Sequence, residues 1–284
     1  MIYVCIPSRD EAKTLGLLLW KVRKIFAELE REYQLLVVDD GSTDDTASIL
    51  PNYERALPLT VLREATPAGM PRAVTRRLGE ALARTDRPRR DCAIVLHADF
   101  RHDPAIIPML VKQIDSGADL VVAEGTPEAG SPRGYRFLRR LAPWILRGRG
   151  RIPGIRDTVS GCYAARLVTV REAMQHLVGD WIATDGWAAN AEMVARLAAH
   201  SRRVVGVPMQ ERQDWQQRPS RIRPWEEARR LWAAAGQIPP VPTTSSPVTT
   251  SDTTAPDSDA ELEDRPGRKR RRRRRRPARR SATA

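Results

Sequence analysis

The stretch QLLVVDDGSTDDTASIL, residues 34–50, decides the fold. Leu35 to Val38 form a short run of branched apolar side chains, as a buried strand requires. The run closes on Asp39 and Asp40, and Gly41 permits a tight turn. Ser42 or Thr43 then stands where a helix cap is expected, with acids in the first turn. A strand that ends in carboxylates and turns into a helix is one unit of an α/β sheet.

The same unit recurs on both sides. IYVCI (2–6) reads as a strand, and Leu15, Leu18, Leu19, Val22, Ile25, Phe26 and Leu29 follow at helical spacing. LTVLRE (59–64), CAIVLHAD (92–99) and ADLVVAEG (118–125) complete five strands. Helices are expected at 69–84 and 104–115, with Pro104 placed for a first turn. Further on, helices are expected at 167–177, 185–200 and 224–234, and a strand at 202–209. Nearly continuous apolar strands alternating with helices indicate a mostly parallel sheet covered on both faces.

At 284 residues and 41% hydrophobic, the chain can bury a large core. No apolar run approaches the ~20 residues of a membrane span, and MIYVCIPSRDE lacks the basic start and long apolar core of a signal peptide. Three cysteines without a CxxC pair (Cys5, Cys92, Cys162) indicate reduced, partly buried thiols in a cytosolic protein.

The net charge of +13 is uneven. Residues 265–280 hold 12 Arg/Lys and no acid, whereas 241–264 hold six acids and no base. From Pro239 onward Pro, Ser, Thr and Asp dominate, too polar to fold. The expected organisation is a domain at 1–238, a disordered linker at 239–264 and a disordered Arg-rich tail at 265–284. Such a tail binds polyanions without sequence selectivity. An anionic bilayer is one candidate and nucleic acid another.

Ligands of open α/β sheets bind beyond the carboxyl ends of the strands. Three acidic clusters fall there: Arg9-Asp10-Glu11 after the first strand, Asp39-Asp40 after the second, and His97 and Asp99 after the fourth. Carboxylates so placed can hold a divalent ion, and the ion a diphosphate.

IPSRDEAKTL, LLVVDDGSTDDT and HADFRHDP, in this order and spacing, resemble the family 2 glycosyltransferases, and within them the dolichol-phosphate mannose synthase type. RDTVSGCYAAR is similar to that group's Asp-x-x-Ser-Gly-Phe segment. The resemblance continues through AEMVARLAAHSRRVVGVPMQERQDWQQRPSR and covers roughly residues 1–235. It implies a type-A glycosyltransferase (GT-A) fold and a GDP- or UDP-linked sugar donor. Pro7, Arg9, Glu11, Asp39, Asp40, Gly69, His97, Ala98, Asp99 and Arg101 would bind the donor, with Asp40 and Asp99 also catalytic. Residues 97 and 99 match the family's Asp-x-Asp, which ligates Mg²⁺ or Mn²⁺. Ser160, Gly161, Arg212, Arg218 and Arg221 would meet the acceptor, a dolichyl, undecaprenyl or other polyprenyl phosphate. The implied place is cytoplasmic, at the inner face of the membrane.

The chain departs from the family in two places. His97 replaces the first Asp, and Arg101 stands where the mannose-synthase type often has Gln. Imidazole suits Mn²⁺ better than Mg²⁺. Three readings follow: a metal site with Asp99 as main ligand and His97 as ligand or diphosphate contact; metal-independent diphosphate binding by basic residues; or an inactive domain that acts as a binding protein through its tail. In AGMPRAVTRRL (68–78), Pro71 replaces a Gly and Thr75 an Arg. Arg72, Arg76 or Arg77 is the substitute, or these form an exposed basic face.

A phosphate acceptor needs no strong base, whereas a hydroxyl acceptor on a soluble molecule or glycan does. Asp185 and Glu192 are the candidates; otherwise the first is an N-cap and the second an exposed acid. In RGYRFLRRLAPWILRGR (133–149), Phe137, Leu138, Leu141, Trp144 and Ile145 share one helical face and Arg136, Arg139, Arg140 and Arg147 the other. This is the pattern of an interfacial helix, kinked or divided at Pro143, or of a surface helix packed on the sheet. Arg202 and Arg203 add positive charge for an acceptor phosphate.

Overall fold

The computed structural model describes residues 1–146, 151–175, 180–212 and 223–241. Arg147, Arg218 and Arg221, the linker beyond 241 and the Arg-rich tail lie outside them. Residues 1–250 belong to one unit of the chain and 251–284 to another.

Seven strands in the described residues make one sheet: β1 (Ile2–Ser8), β2 (Tyr33–Asp40), β3 (Leu59–Glu64), β4 (Cys92–Val95), β5 (Leu120–Thr126), β6 (Tyr163–Arg166) and β7 (Val204–Gln210). Their order is β3-β2-β1-β4-β6-β5-β7. All pairings are parallel except those of β6, which runs against both β4 and β5. The helices are α1 (Ala12–Leu29), α2 (Thr46–Glu54), α3 (Met70–Arg84), α4 (Ile107–Asp115), α5 (Arg133–Ile145), α6 (Leu167–Met174), α7 (Gly186–Ala199) and α8 (Pro224–Ala234).

Strand alternation assigns the two core layers. Ile2, Val4 and Ile6 of β1 face a cluster with Leu15, Leu18, Leu19, Val22 and Phe26 of α1. Tyr3 and Cys5 face the other way, into a cluster with Val74 and Leu78 of α3 and Ala189 and Met193 of α7. A third cluster joins Tyr135, Leu138 and Ala142 of α5 to Trp187 of α7 and Leu231 of α8. The three cysteines are free and buried.

Several sequence expectations are corrected in detail. The fourth strand stops at Val95, so His97 and Asp99 lie on the loop beyond it. YAAR, inside the Ser-Gly segment, is a strand that periodicity did not resolve; four residues are too few to show a period. Neither Ser42 nor Thr43 caps α2. The Ser42 hydroxyl accepts from the Asp10 N–H, and Thr43 donates to the Asp10 carboxylate through N–H and Oγ1. Asp44 instead accepts from the Thr46 and Ala12 N–H groups, at 2.9 and 3.1 Å. The two loops are thus laced together rather than each closing its own helix.

Pro104 opens a single 3₁₀ turn (Pro104–Ile106) ahead of α4, as its fixed φ favours. Pro143 falls in the last turn of α5 and does not divide it.

Candidate functional site

The chain moves from β1 to β2 on one side and reaches β4 on the other, so the topological switch point lies between β1 and β4. A cavity of about 290 Å³ lies there, lined by Pro7, Ser8, Arg9, Glu11, Asp40, Gly69, Met70, Ala73, His97, Ala98, Asp99 and Asp185. Three strand ends, the start of α3 and the start of α7 therefore meet in one place. Sequence reading missed Ser8 and Met70, which carry no distinctive chemistry.

The acids there have different tasks. Asp40 accepts from the Ala68 and Gly69 N–H groups at 2.6 and 3.0 Å, fixing the loop before α3. Asp39 is almost fully buried. It accepts from the Ser42 N–H and pairs with Arg63 at 3.4 Å, and it is not among the residues lining the cavity. Glu11 is buried and accepts from the Thr14 hydroxyl at 2.9 Å. Asp185 is the N-cap of α7, with its carboxylate on the Gly186 N–H, and also faces the cavity.

Between Asp99 and Arg101, Phe100 is buried at φ +60°, a conformation disfavoured for a side chain of this bulk. The reversal lets Arg101 close on Asp99: its N–H lies 3.1 Å from Oδ1 and a guanidinium nitrogen 3.2 Å from Oδ2. Burial opposes the charge on Asp99, but the Arg101 guanidinium beside it lowers its carboxyl to about 2. Burial also lowers His97, and lowers His102 well below the ordinary imidazole range, so both rings are neutral near pH 7.

The His97 and His102 rings meet edge to face at 5.0 Å. Nε2 of His97 is buried without a hydrogen-bond partner among the described residues. It sits against Gly161 (φ +79°), where an added Cβ would come within 2.7 Å of it and of the Asn190 amide nitrogen.

One ionised carboxylate and one unpartnered imidazole nitrogen belong to residues lining the same cavity, a set that fits Mn²⁺ better than Mg²⁺. Among the described residues no group of three or more His, Cys, Asp or Glu is arranged to hold a metal. Among the described residues an ion there would take at most these two donors, with His97 Nε2 now lying against Gly161 and both Asp99 oxygens held by Arg101.

Other candidates are placed elsewhere. Glu192 is fully buried, not exposed; it accepts from the Ala183 and Thr184 N–H groups and the Thr184 hydroxyl, and pairs with Arg196 at 2.7 Å. Arg72 pairs with Asp180 and Arg76 with Glu64. Arg77 is buried in the core, and burial lowers its guanidinium to about 9. None of these three arginines lines the switch-point cavity. Arg202 and Arg203 immediately precede β7 at the opposite rim, their N–H groups held by Asp119. Ser160 donates to the Ala123 carbonyl at 2.7 Å, fixing the loop that carries Gly161. Arg212 pairs with Asp103 at 3.3 Å.

A second cavity, of about 680 Å³, opens on the same rim beyond β5. Arg133, Arg136 and Arg140 of α5 and Arg156 give it a basic wall, with Phe137 and Pro143 as apolar parts. Arg139 also lines it but is not on an exposed polar face: its side chain is buried on Asp157 (2.6 Å) and Glu211 (2.8 Å) and lies 5.3 Å from the Trp187 ring. Burial opposes its charge, and the two carboxylates more than restore it. The Tyr135 hydroxyl donates to Glu211 at 2.5 Å, and the Tyr135 ring lies 6.0 Å from the Arg101 guanidinium. Asp99, Arg101, Tyr135, Glu211 and Arg139 thus connect the two cavities. Asp99 and Arg101 were expected from the motif at 97–101 and Asp157 belongs to the Ser-Gly motif, whereas the part of Tyr135 and Glu211 was not legible in the sequence.

The chain matches the family described as Glycosyl transferase family 2 over residues 3–184. It is 30% identical over 183 residues to a dolichol-phosphate mannosyltransferase of Pyrococcus furiosus, covering 63% of this chain and 49% of that protein. It is 31% identical over 148 residues to an undecaprenyl-phosphate 4-deoxy-4-formamido-L-arabinose transferase of Photorhabdus laumondii, covering 51% and 42%. The chain thus spans about half the length of these curated relatives. Among solved structures, it is similar to glucosyl-3-phosphoglycerate synthase from Mycobacterium tuberculosis in complex with Mn²⁺, UDP and phosphoglyceric acid: TM-score 0.55, 20% identity, 85% of this chain and 79% of that one. It is also similar to S. aureus TarS 1–349 in complex with UDP-GlcNAc: TM-score 0.54, 16% identity, 85% and 68%.

Proposed function

Because the chain belongs to glycosyltransferase family 2 and has the GT-A fold, we propose that it transfers a sugar, with inversion, from a nucleoside-diphosphate donor to a polyprenyl phosphate at the cytosolic face of a membrane. The carrying observation is the pair of cavities on one sheet rim, one acidic at the switch point and one lined by arginines, joined through Arg101 and Tyr135. The names of the polyprenyl-phosphate relatives and the UDP complexes of the structural neighbours support each half.

Glu11, Asp40, Asp99 and Asp185 line the donor cavity against Arg9. A diphosphate entering it needs compensating positive charge. His97 and Asp99 would hold a divalent cation, which when bound supplies part of that charge to the leaving diphosphate. Arg9 supplies more from the wall. Arg101 holds Asp99 ionised and in place. Loop 157–161, pinned by Asp157 and Ser160, sets Gly161 against His97. The basic cavity presents the acceptor phosphate, an anionic nucleophile that requires no general base. One observation favours a hydroxyl acceptor as the second reading: Asp185 faces the donor cavity with a carboxylate able to take a proton.

The test is a panel of UDP- and GDP-sugars with polyprenyl phosphate or lipid extract, with and without Mn²⁺ or Mg²⁺. Asp99→Ala is expected to lower transfer by about 10²–10³-fold, the scale of lost electrostatic stabilisation at a leaving group. Equal turnover by wild type and Asp99→Ala would overturn the assignment.

A further inference from the structure

Position 101, often Gln in the mannose-synthase type, is an arginine here, and the structure gives that arginine a partner. Phe100 at φ +60° turns the backbone so that Arg101 lies back on Asp99. The Arg101 N–H meets Oδ1 at 3.1 Å and the guanidinium meets Oδ2 at 3.2 Å. Both oxygens of a carboxylate that lines the switch-point cavity are therefore engaged from within its own loop. Only 13% of each side chain is exposed, so solvent ions screen the pair little. The neighbouring carboxylates are committed elsewhere: Glu211 to the Tyr135 hydroxyl and Arg139, Asp157 to Arg139, and Asp103 to Arg212. The Tyr135 ring lies 6.0 Å from the guanidinium on another side.

At the two metal donors the charges then cancel. A pair of aspartates would present two negative charges to a divalent cation. Here His97 brings a neutral imidazole, and the single charge of Asp99 is matched by the guanidinium. The remaining cavity acids are turned to local donors: Asp40 to the Ala68 and Gly69 N–H groups, Asp185 to the Gly186 N–H and Glu11 to the Thr14 hydroxyl. A free divalent ion on Asp99 would share that carboxylate with Arg101 and be repelled by it. A diphosphate in the cavity reverses the balance, because its negative charges attract both cations at once.

We propose that Arg101 is a built-in counter-ion of Asp99 that bars free divalent cations from the switch-point cavity and admits one only together with a diphosphate. Position 101 thereby decides whether the metal loads alone or with the donor. The inference rests on the donor reading of this cavity, yet the two fail separately.

Mn²⁺ binding to the full chain is followed by the electron paramagnetic resonance signal of the free ion. It is measured without added anion, then with pyrophosphate, UDP or GDP, each against a protein-free control. Wild type is expected to bind Mn²⁺ at least ~10-fold more tightly with the anion than without it. Arg101→Gln is expected to bind Mn²⁺ alone at least ~10-fold more tightly than wild type, and Arg101→Lys, which keeps the charge, to resemble wild type. Adding Asp99→Asn to Arg101→Gln should remove the gain, which assigns it to that carboxylate. If Arg101→Gln melts far below wild type, Asp99→Asn alone decides: it should leave the weak binding without anion as it is and abolish the anion-dependent uptake. Tight Mn²⁺ binding by wild type without anion, or binding by folded Arg101→Gln no tighter than wild type, overturns the counter-ion. Uptake driven in wild type by pyrophosphate but by neither UDP nor GDP sustains Arg101 and overturns the nucleotide donor.

Discussion

Glu192 has both carboxylate oxygens committed, Oε2 to Ala183 and Thr184 and Oε1 to Arg196. Glu192→Gln is expected to cost about 1.5–3 kcal/mol, the worth of hydrogen bonds to a charged group, while transfer per folded molecule stays within about 3-fold. Urea titration with assays below the transition checks both; a far larger loss of transfer would return Glu192 to the chemistry. Arg139→Met leaves Asp157 and Glu211 buried without their cation and should cost about 3–5 kcal/mol. Adding Glu211→Gln should recover part of it, because one uncompensated charge is then gone. Burial pushes the Cys5 and Cys92 thiols up to about 12. Unfolded thiols ionise near ~8.5, so their contribution to stability is complete below that pH and is lost as pH rises toward 12. A disulfide reagent at pH 8 should therefore label native protein only after denaturant is added. The acids at strand ends were legible because position and charge together announce them. The burial of Arg139 was not, because its counter-charges come from distant segments that a helical wheel does not contain.

At the scale of elements, the loop ahead of β6 is a tightly constrained joint near the site. Gly161→Ala would set a Cβ against His97 and Asn190 at a positive φ. It should weaken donor binding by at least ~10-fold and lower the melting temperature. Gly79, inside α3 with nothing within 4 Å of an added Cβ, is the contrast. Gly79→Ala should raise stability by about 0.4–1 kcal/mol with no change in donor affinity, measured by calorimetry and urea titration. The long elements were legible from periodicity: the buried face of α1 and the span of α8 came out as read. β6 was hidden because a four-residue strand inside a glycine-bearing motif has neither period nor length. α5 was half legible: its amphipathic pattern is real, but Leu138 turns to the core while Phe137 and Trp144 stay outside.

Across the whole molecule, positive charge is concentrated beyond the described residues, in the segment 265–284. Removing it is expected to leave transfer in detergent unchanged and to flatten the salt dependence of vesicle binding, since exposed charges are screened within about 10 Å at 0.1 M salt. Sedimentation with vesicles across a KCl series measures this. The α/β architecture and the acidic rim were legible because each repeats one local unit. The arginine-walled cavity was not, because it is assembled from β5, α5 and the 156–157 loop, which only the fold brings together. β6, inserted against the grain between β4 and β5, keeps those two strand ends two strand spacings apart, roughly 10 Å. On the proposed reading each substrate would enter by its own door, and neither would have to leave for the other to arrive. Steady-state kinetics should show it: the spent nucleotide competes with fresh donor for one seat, and excess acceptor does not displace it.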